Sequence, residues 1–362
     1  MFKGPRPYQS QLPVVDIKPT AEFIVDVQKP DGEIPWSRGG KTDPWDHVES
    51  AMGLTIGGFY EEAQKAFCWS SRTQLQDGSW WSYYRDGKPA VDTYKDSNMT
   101  AYIAVGILHY YLSTGDIHFL QQLWPTVRRA MDFVIKLQGN GGEIFWAQRA
   151  DGSIDKRALV TGSSSIYMSI TSAIYIAELI GEEKEHLEIA SVKLGDAIRY
   201  KPHLFDQNKS RYAMDWYYPI LSGIITGEAG IIRIERSWDT FIIPGWGVRC
   251  VSDKPWVTMA ETAELAIALA VIEQFEVAEI VFGWIKGNKY DDGAFWTGVT
   301  LPDRTIYTIE KTTWTAAVVL LANDVLYSRS PASRVFGPGP GSPIACRPVS
   351  SPRRIDGPLK IV

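Results

Sequence analysis

A chain of 362 residues with 45% hydrophobic and 22% charged residues has the composition of a globular protein, long enough for two domains or one large one. Its net charge of −5 argues against a nucleic-acid partner, and no apolar run reaches the roughly 18 residues of a membrane span. Residues 1–16 lack an apolar signal core, and Cys68, Cys250 and Cys346 fit neither a disulfide framework nor a metal spacing. A reducing cytoplasm is therefore the expected location, with secretion after signal removal left open, and no metal or cofactor is expected.

In chain order, helical periodicity alternates between two types of segment. Segments 16–28, 60–76, 117–138, 183–200, 232–241 and 275–286 are amphipathic and carry surface charge. Segments 43–57, 96–113, 163–180, 212–226, 257–272 and 310–327 are apolar nearly all round and rich in small residues. A helix apolar on every face has to be buried on every face. Six exposed helices alternating with six buried ones predict a double ring, an all-α (α/α)6 toroid spanning 1–328 as one domain. Segment 232–241 is short and β-branched, and a strand or turn fits there as well. The Pro/Gly/Arg-rich tail 329–362 is expected to be disordered or to wrap the surface.

One element punctuates the exposed helices. Gln74–Trp81 reads QLQDGSWW, and degenerate copies occur at Gln28–Trp36 (QKPDGEIPW), Gln138–Trp146 (QGNGGEIFW) and Tyr290–Trp296 (YDDGAFW). Such recurrence marks a circular or stacked array of helical hairpins, with chemistry expected at the inner-helix starts that follow.

In a double ring all inner helices run the same way, so their N-termini converge on one mouth. Those starts carry Asp43, Trp45, Asp46, His47 and Glu49; Lys95, Asp96 and Asn98; Ser163–Ser165; Asp215, Trp216 and Tyr217; Trp256, Glu261 and Glu264; and Glu310, Lys311 and Trp314. Asp, Ser and Thr there also serve as N-caps, and early acids suit the helix dipole. A carboxylate recurring at five of the six starts, beside Trp or Tyr, exceeds what capping requires. Asp46 and Glu49, like Glu261 and Glu264, lie three apart on one helix face, where buried carboxyls need a partner or a wet cavity.

The Gln-x-x-Asp-Gly-x-Trp element resembles the QW repeat of squalene cyclases and prenyltransferase-like proteins. The six-hairpin toroid with carboxylates and aromatics at one mouth resembles the (α/α)6 glycoside hydrolases. The resemblance covers roughly residues 16–328. The cyclase signature Asp-x-Asp-Asp is absent, since Lys289-Tyr290-Asp291-Asp292 lacks its first Asp, and Asp291–Phe295 lacks the last Asp of a diphosphate-binding motif. Cys250 and Asp253 have no His nearby for zinc.

The glycosidase resemblance implies two carboxyls across a scissile bond, about 6.5–9.5 Å apart for an inverting enzyme. Asp46 is expected as general base, with Asp43 holding the water. Glu261 or Glu310 is expected as general acid, Glu261 preferred for its apolar setting, with Asp96 and Asp215 next in line. Trp45, Trp80, Trp81, Tyr217, Trp256, Trp296 and Trp314 are expected to stack on sugars. His47, Glu49, Lys95, Asn98, Trp216 and Lys311 are expected to contact substrate or orient carboxylates. The expected activity is hydrolysis of an oligo- or polysaccharide, a glucan in cellulase-like fashion being one option. The alternatives are a terpenoid cyclase or prenyltransferase-like protein, a polysaccharide lyase, or a glycan or lipid binder without turnover.

Overall fold

A computed structural model describes residues 15–90, 93–327 and 330–338. The N-terminal segment and most of the expected tail lie outside the described residues. In chain order the helices are α1 (Ile17–Val27), α2 (Pro44–Ile56), α3 (Tyr60–Thr73), α4 (Ser97–Ala101), α5 (Ile103–Thr114), α6 (Ile117–Lys136), α7 (Val160–Ile180), α8 (Glu185–Tyr200), α9 (Ala213–Leu221), α10 (Gly227–Phe241), α11 (Met259–Val271), α12 (Phe275–Gly283) and α13 (Thr313–Tyr327).

The buried helices close a ring. α2 packs on α5, α5 on α7, α7 on α9, α9 on α11, α11 on α13, and α13 back on α2. In α11 every residue from Met259 to Ala270 is buried, as the all-round apolar sequence requires. The remaining long helices form the outer layer, giving the (α/α)6 toroid. The segment with weak helical signal is a full helix, α10, because Gly230, Ile234 and Phe241 fall on one buried stripe. The strand character there appears immediately after it.

The repeated element is a lateral clamp as well as a helix stop. The amides of Gln28, Gln74 and Gln138 each donate to a carbonyl within their own turn. Each also donates to a carbonyl of the next outer helix, Glu62, Thr126 and Ala190, at 2.9, 2.9 and 3.0 Å. The glycines at 32, 78, 142 and 293 have φ between +87° and +102°. A Cβ on any of them would lie 2.0–2.3 Å from a backbone oxygen of the neighbouring outer helix. Glycine is therefore required twice over, by conformation and by close approach.

Short strands, absent from the periodic signal, occupy the connections into the inner-helix starts. β1 (Tyr84–Arg85) and β2 (Lys88–Pro89) form a hairpin. β3 (Tyr94–Asp96), β4 (Ala147–Arg149) and β5 (Ile154–Asp155) form a sheet leading into α4 and α7. β6 (Ile242–Ile243), β7 (Gly247–Arg249), β8 (Trp256–Thr258), β9 (Gly298–Thr300) and β10 (Thr305–Ile306) form an antiparallel sheet in sequence order, interrupted between β8 and β9 by α11 and α12, and leading into α11 and α13. By ring order the two sheets stand over opposite sides of the mouth. At the other end of the ring, residues 330–338 pack on α5 and α13, burying Ala332, Val335 and Phe336. The Gly337 N–H there donates to the Leu221 carbonyl.

Candidate active site

The first inner helix begins with a stack of three buried carboxyls. Asp43 caps α2, its Oδ1 accepting the Asp46 N–H at 2.9 Å, with Pro44 supplying the fixed φ of the first helical residue. Capping fixes the Asp43 carboxyl beside that of Asp46, with which it shares a side-chain hydrogen bond. Burial and the neighbouring Asp43 and Glu49 charges hold Asp46 well above the usual carboxylate range, and Lys41 opposes this only in part. Glu49, one turn further in, accepts from Trp314 Nε1 at 3.0 Å and Tyr102 OH at 3.3 Å. Burial still pushes it up to about 7.

A second carboxyl-bearing wall is α11, separated from α2 in the ring by α13. Glu261, in its first turn, and Glu264 are both buried, and each keeps one carboxyl oxygen without a hydrogen-bond partner in the protein. Glu264 accepts a short hydrogen bond from the Tyr217 hydroxyl. Burial, followed by the charge of Glu49 from across the ring, raises Glu264 well above its ordinary value. Between them, Trp45 packs on Tyr102 at 5.4 Å and edge-on to Tyr218 at 5.8 Å, closing the floor.

Asp96 caps α4, accepting from the Asn98 and Met99 N–H groups and from Trp146 Nε1 at 2.6 Å. Burial lifts it to about 6. Asp215 accepts from both the N–H and the hydroxyl of Thr161, tying α9 to α7. Around these groups Asn98 Oδ1, the Ser163 and Ser165 hydroxyls and the Thr258 hydroxyl are also buried without protein partners. Native interiors pair nearly all such atoms, so this concentration at the inner-helix starts marks a place built for hydroxyl-bearing ligands.

Three expected contact residues and one expected acid are placed elsewhere. His47 faces α3: its Nδ1 accepts from the Ile34 N–H and its Nε2–H donates to the Ala66 carbonyl, at 3.0 and 2.9 Å. Burial drops its pKa to about 4, so it is a neutral packing residue. Trp80 fills the core position two residues after the repeat glycine, which Ile34, Ile144 and Phe295 fill in the other copies. Its Nε1 bonds to the Ser70 carbonyl. Trp216 lies between α9 and α10, bonded to the Arg233 carbonyl and stacked on Phe241. Glu310, the other expected acid, is exposed on the loop before α13, so it has none of the apolar setting for which Glu261 was preferred.

Lys95 and Lys311 pair with Asp77 and Asp292 of two repeat turns, each at 2.5 Å, bracing the mouth. Trp81 and Trp296 are half-buried, and Trp256 bonds from β8 to the Tyr307 carbonyl. Tyr102, Tyr218 and Trp146 also belong to the site, through Glu49, Trp45 and Asp96. Trp146 was recoverable, because it occupies the position four residues after the repeat glycine, as Trp36 does, and Trp36 packs on Trp314 at 6.0 Å. The two tyrosines are fully buried, core as well as floor.

A toroid with carboxyls clustered at one mouth is the architecture of a glycoside hydrolase. Two solved structures share the fold across 86% of this chain. One is a glycosidase variant in complex with glucose, 12% identical, 96% covered, TM-score 0.67. The other is the GH63 mannosylglycerate hydrolase of Thermus thermophilus in complex with glucose, 11% identical, 99% covered, TM-score 0.65. No protein-family model matches the chain. Over 338 residues the chain is 44% identical to the MMP endo-(1,4)-3-O-methyl-alpha-D-mannosidase of Mycolicibacterium hassiacum, spanning 93% of this chain and 90% of that protein. The chain belongs to the family of that mannosidase and is a glycosidase. This replaces the cyclase, lyase and non-catalytic readings, and the glucan expectation finds no support, since the relative's substrate is a mannoside. No helix among the described residues is long and apolar enough to cross a membrane.

Proposed function

We propose that the protein is an endo-acting α-mannosidase that hydrolyses (1,4) bonds within a chain of 3-O-methylated mannose, with inversion, using Asp46 and Glu261. The substrate class rests on the 44% identity with the mannosidase of M. hassiacum. The mechanism rests on one observation: buried carboxyls project from α2 and α11, two walls separated in the ring by α13.

Electrostatics favour a division of labour opposite to the one expected from sequence. Asp43 and Glu49 flank Asp46 in a buried setting, and two carboxylates so close cannot both ionise readily. Asp46 therefore holds the proton and acts as general acid, while Asp43, stabilised by the N–H groups it caps, carries the charge. Glu261, at the positive end of α11, serves as general base. Asp46 gives its proton to the departing glycosidic oxygen as the bond to the anomeric carbon breaks. Glu261 takes a proton from the water that attacks the opposite face. Trp45, Trp81, Trp296 and Trp314 supply faces for sugar rings. Asn98 and the Ser163 and Ser165 hydroxyls supply hydrogen bonds, while Asp96 and Asp215 order the inner-helix starts.

Leaving-group dependence tests the assignment. Asp46→Asn should lose several orders of magnitude in turnover on a natural glycosidic bond. It should retain most of its activity on a mannoside with a dinitrophenolate leaving group, which needs no proton. Glu261→Gln should lose activity on both, with azide restoring it. Near-normal turnover of the natural linkage by Asp46→Asn would remove Asp46 from the mechanism.

A further inference from the structure

The wall that precedes α13 presents apolar side chains to solvent beside the mouth. Ile309 is 83% exposed, the most exposed large apolar side chain among the described residues, and Tyr307 is 54% exposed. This lip is rigidly pinned. The Tyr307 N–H donates to the Gly298 carbonyl of β9, and Trp256 Nε1 of β8 donates to the Tyr307 carbonyl at 2.7 Å. The two rings meet edge to face at 5.6 Å. Past Ile309, the Glu310 carbonyl accepts from Thr297 Oγ1 at 2.6 Å, and Lys311 is bound by Asp292. Two residues on, the chain enters α13, whose Trp314 donates to Glu49. The lip is thus continuous with the carboxyl floor.

The opposite wall carries more charge at its strands. β4 and β5 carry Arg149 and Asp155, ion-paired at 3.3 Å, and Arg157 pairs with the same Asp155 while lying over Trp146 at 4.5 Å. Its exposed apolar side chain is Ile154 of β5, 41% exposed, so the larger apolar patch beside the mouth is the pair Tyr307 and Ile309. A sugar chain in which one hydroxyl per residue is capped as a methyl ether gains from such a patch, because the cap removes a donor and adds an apolar group.

The geometry points to Tyr307 and Ile309, backed by Trp256, as the subsite that recognises the O-methyl groups of the substrate. The inference rests on the mannoside reading above and adds the residues that set its selectivity. A methyl group covered by Ile309 removes apolar surface from water on both partners, and one such group discriminates by roughly tenfold or more. The lip touches substrate away from the scissile bond, so its contribution falls on KM rather than kcat.

The experiment compares kcat/KM on (1,4)-linked α-mannose oligosaccharides with and without 3-O-methyl groups. It uses the wild type, Ile309→Ser and the double variant Ile309→Ser/Tyr307→Ala. Both positions are exposed, so the variants keep the fold, which a thermal melt checks. The wild type should prefer the methylated chain. The variants should lose about tenfold on it through KM and lose nothing on the unmethylated chain. An equal loss on both substrates, or an unchanged methyl preference, overturns the assignment of the lip. A wild type that cleaves both chains equally does the same while leaving the mannosidase reading intact. A wild type that cleaves neither overturns that reading and the lip with it. If Ile309→Ser alters only the oligomeric state in light scattering, the lip is a protein contact and the proposal is wrong.

Discussion

The two ends of the inner ring bury titratable groups equally deeply and to opposite purposes. At the mouth, burial and mutual repulsion drive Asp46, Glu49 and Glu264 above the usual carboxylate range, Glu49 to about 7. Toward the far end, His109 is fully buried, neither ring nitrogen has a protein partner, and its pKa falls to about 3. Residues 330–338 cover that end with Ala332, Val335 and Phe336. There the buried histidine is held neutral and the buried Asp324 accepts a hydrogen bond from the Ser330 hydroxyl, whereas a cluster of carboxyls from two inner helices is more than folding needs. The contrast separates tolerated burial from burial with a chemical use.

Exchanging groups at the two ends breaks or sharpens that contrast. The largest effect belongs to the mouth: Asp46→Asn should cost several orders of magnitude in turnover with an unchanged or raised melting temperature. At the far end Phe336→Ala should cost about 3–4 kcal/mol of stability, read by denaturant unfolding, with kcat unchanged. The outer clamp comes next. Gly142→Ala would press a Cβ to 2.3 Å from the Lys193 carbonyl at a φ of +102° and should cost about 3 kcal/mol. Gly152→Ala, at φ +84° with open space around it, should cost about 1 kcal/mol.

The smallest effect is a pH dependence. Glu49 moves from 4.5 to about 7 on folding. Between those values the folded protein keeps a proton that the unfolded chain has released, so stability falls as pH rises and levels off above about 7. From pH 6.5 to 8 this one group should contribute about 1 kcal/mol of loss. Thermal melts of Glu49→Gln should show a shallower decline over that window. An identical slope would mean that Glu49 is ionised throughout.

Much of the architecture was legible. The alternation of amphipathic and all-apolar helices follows from a double ring, in which only the inner helices are surrounded. Segment 232–241 read poorly because its helix begins at Gly227 and hides its buried stripe behind β-branched residues. The sheets did not register, because strands of two or three residues carry no periodicity. The carboxyl stack on α2 was legible from its three-residue spacing. His47, Trp80 and Trp216 misled because a residue beside the mouth in sequence can face outward on its helix or fill a turn's core slot. Proton placement could not be read, since it depends on Asp43 and Glu49 both approaching Asp46.

The central claim, that carboxyls of α2 and α11 act from opposite faces of the scissile bond, is tested most directly by the first-formed anomer. Proton NMR should follow hydrolysis of a (1,4)-linked 3-O-methyl-α-mannoside oligosaccharide by the wild-type protein. The β-anomer appearing first, then mutarotating, is the result this account predicts. The α-anomer appearing first would contradict it, because retention requires a covalent intermediate on one of the two carboxyls.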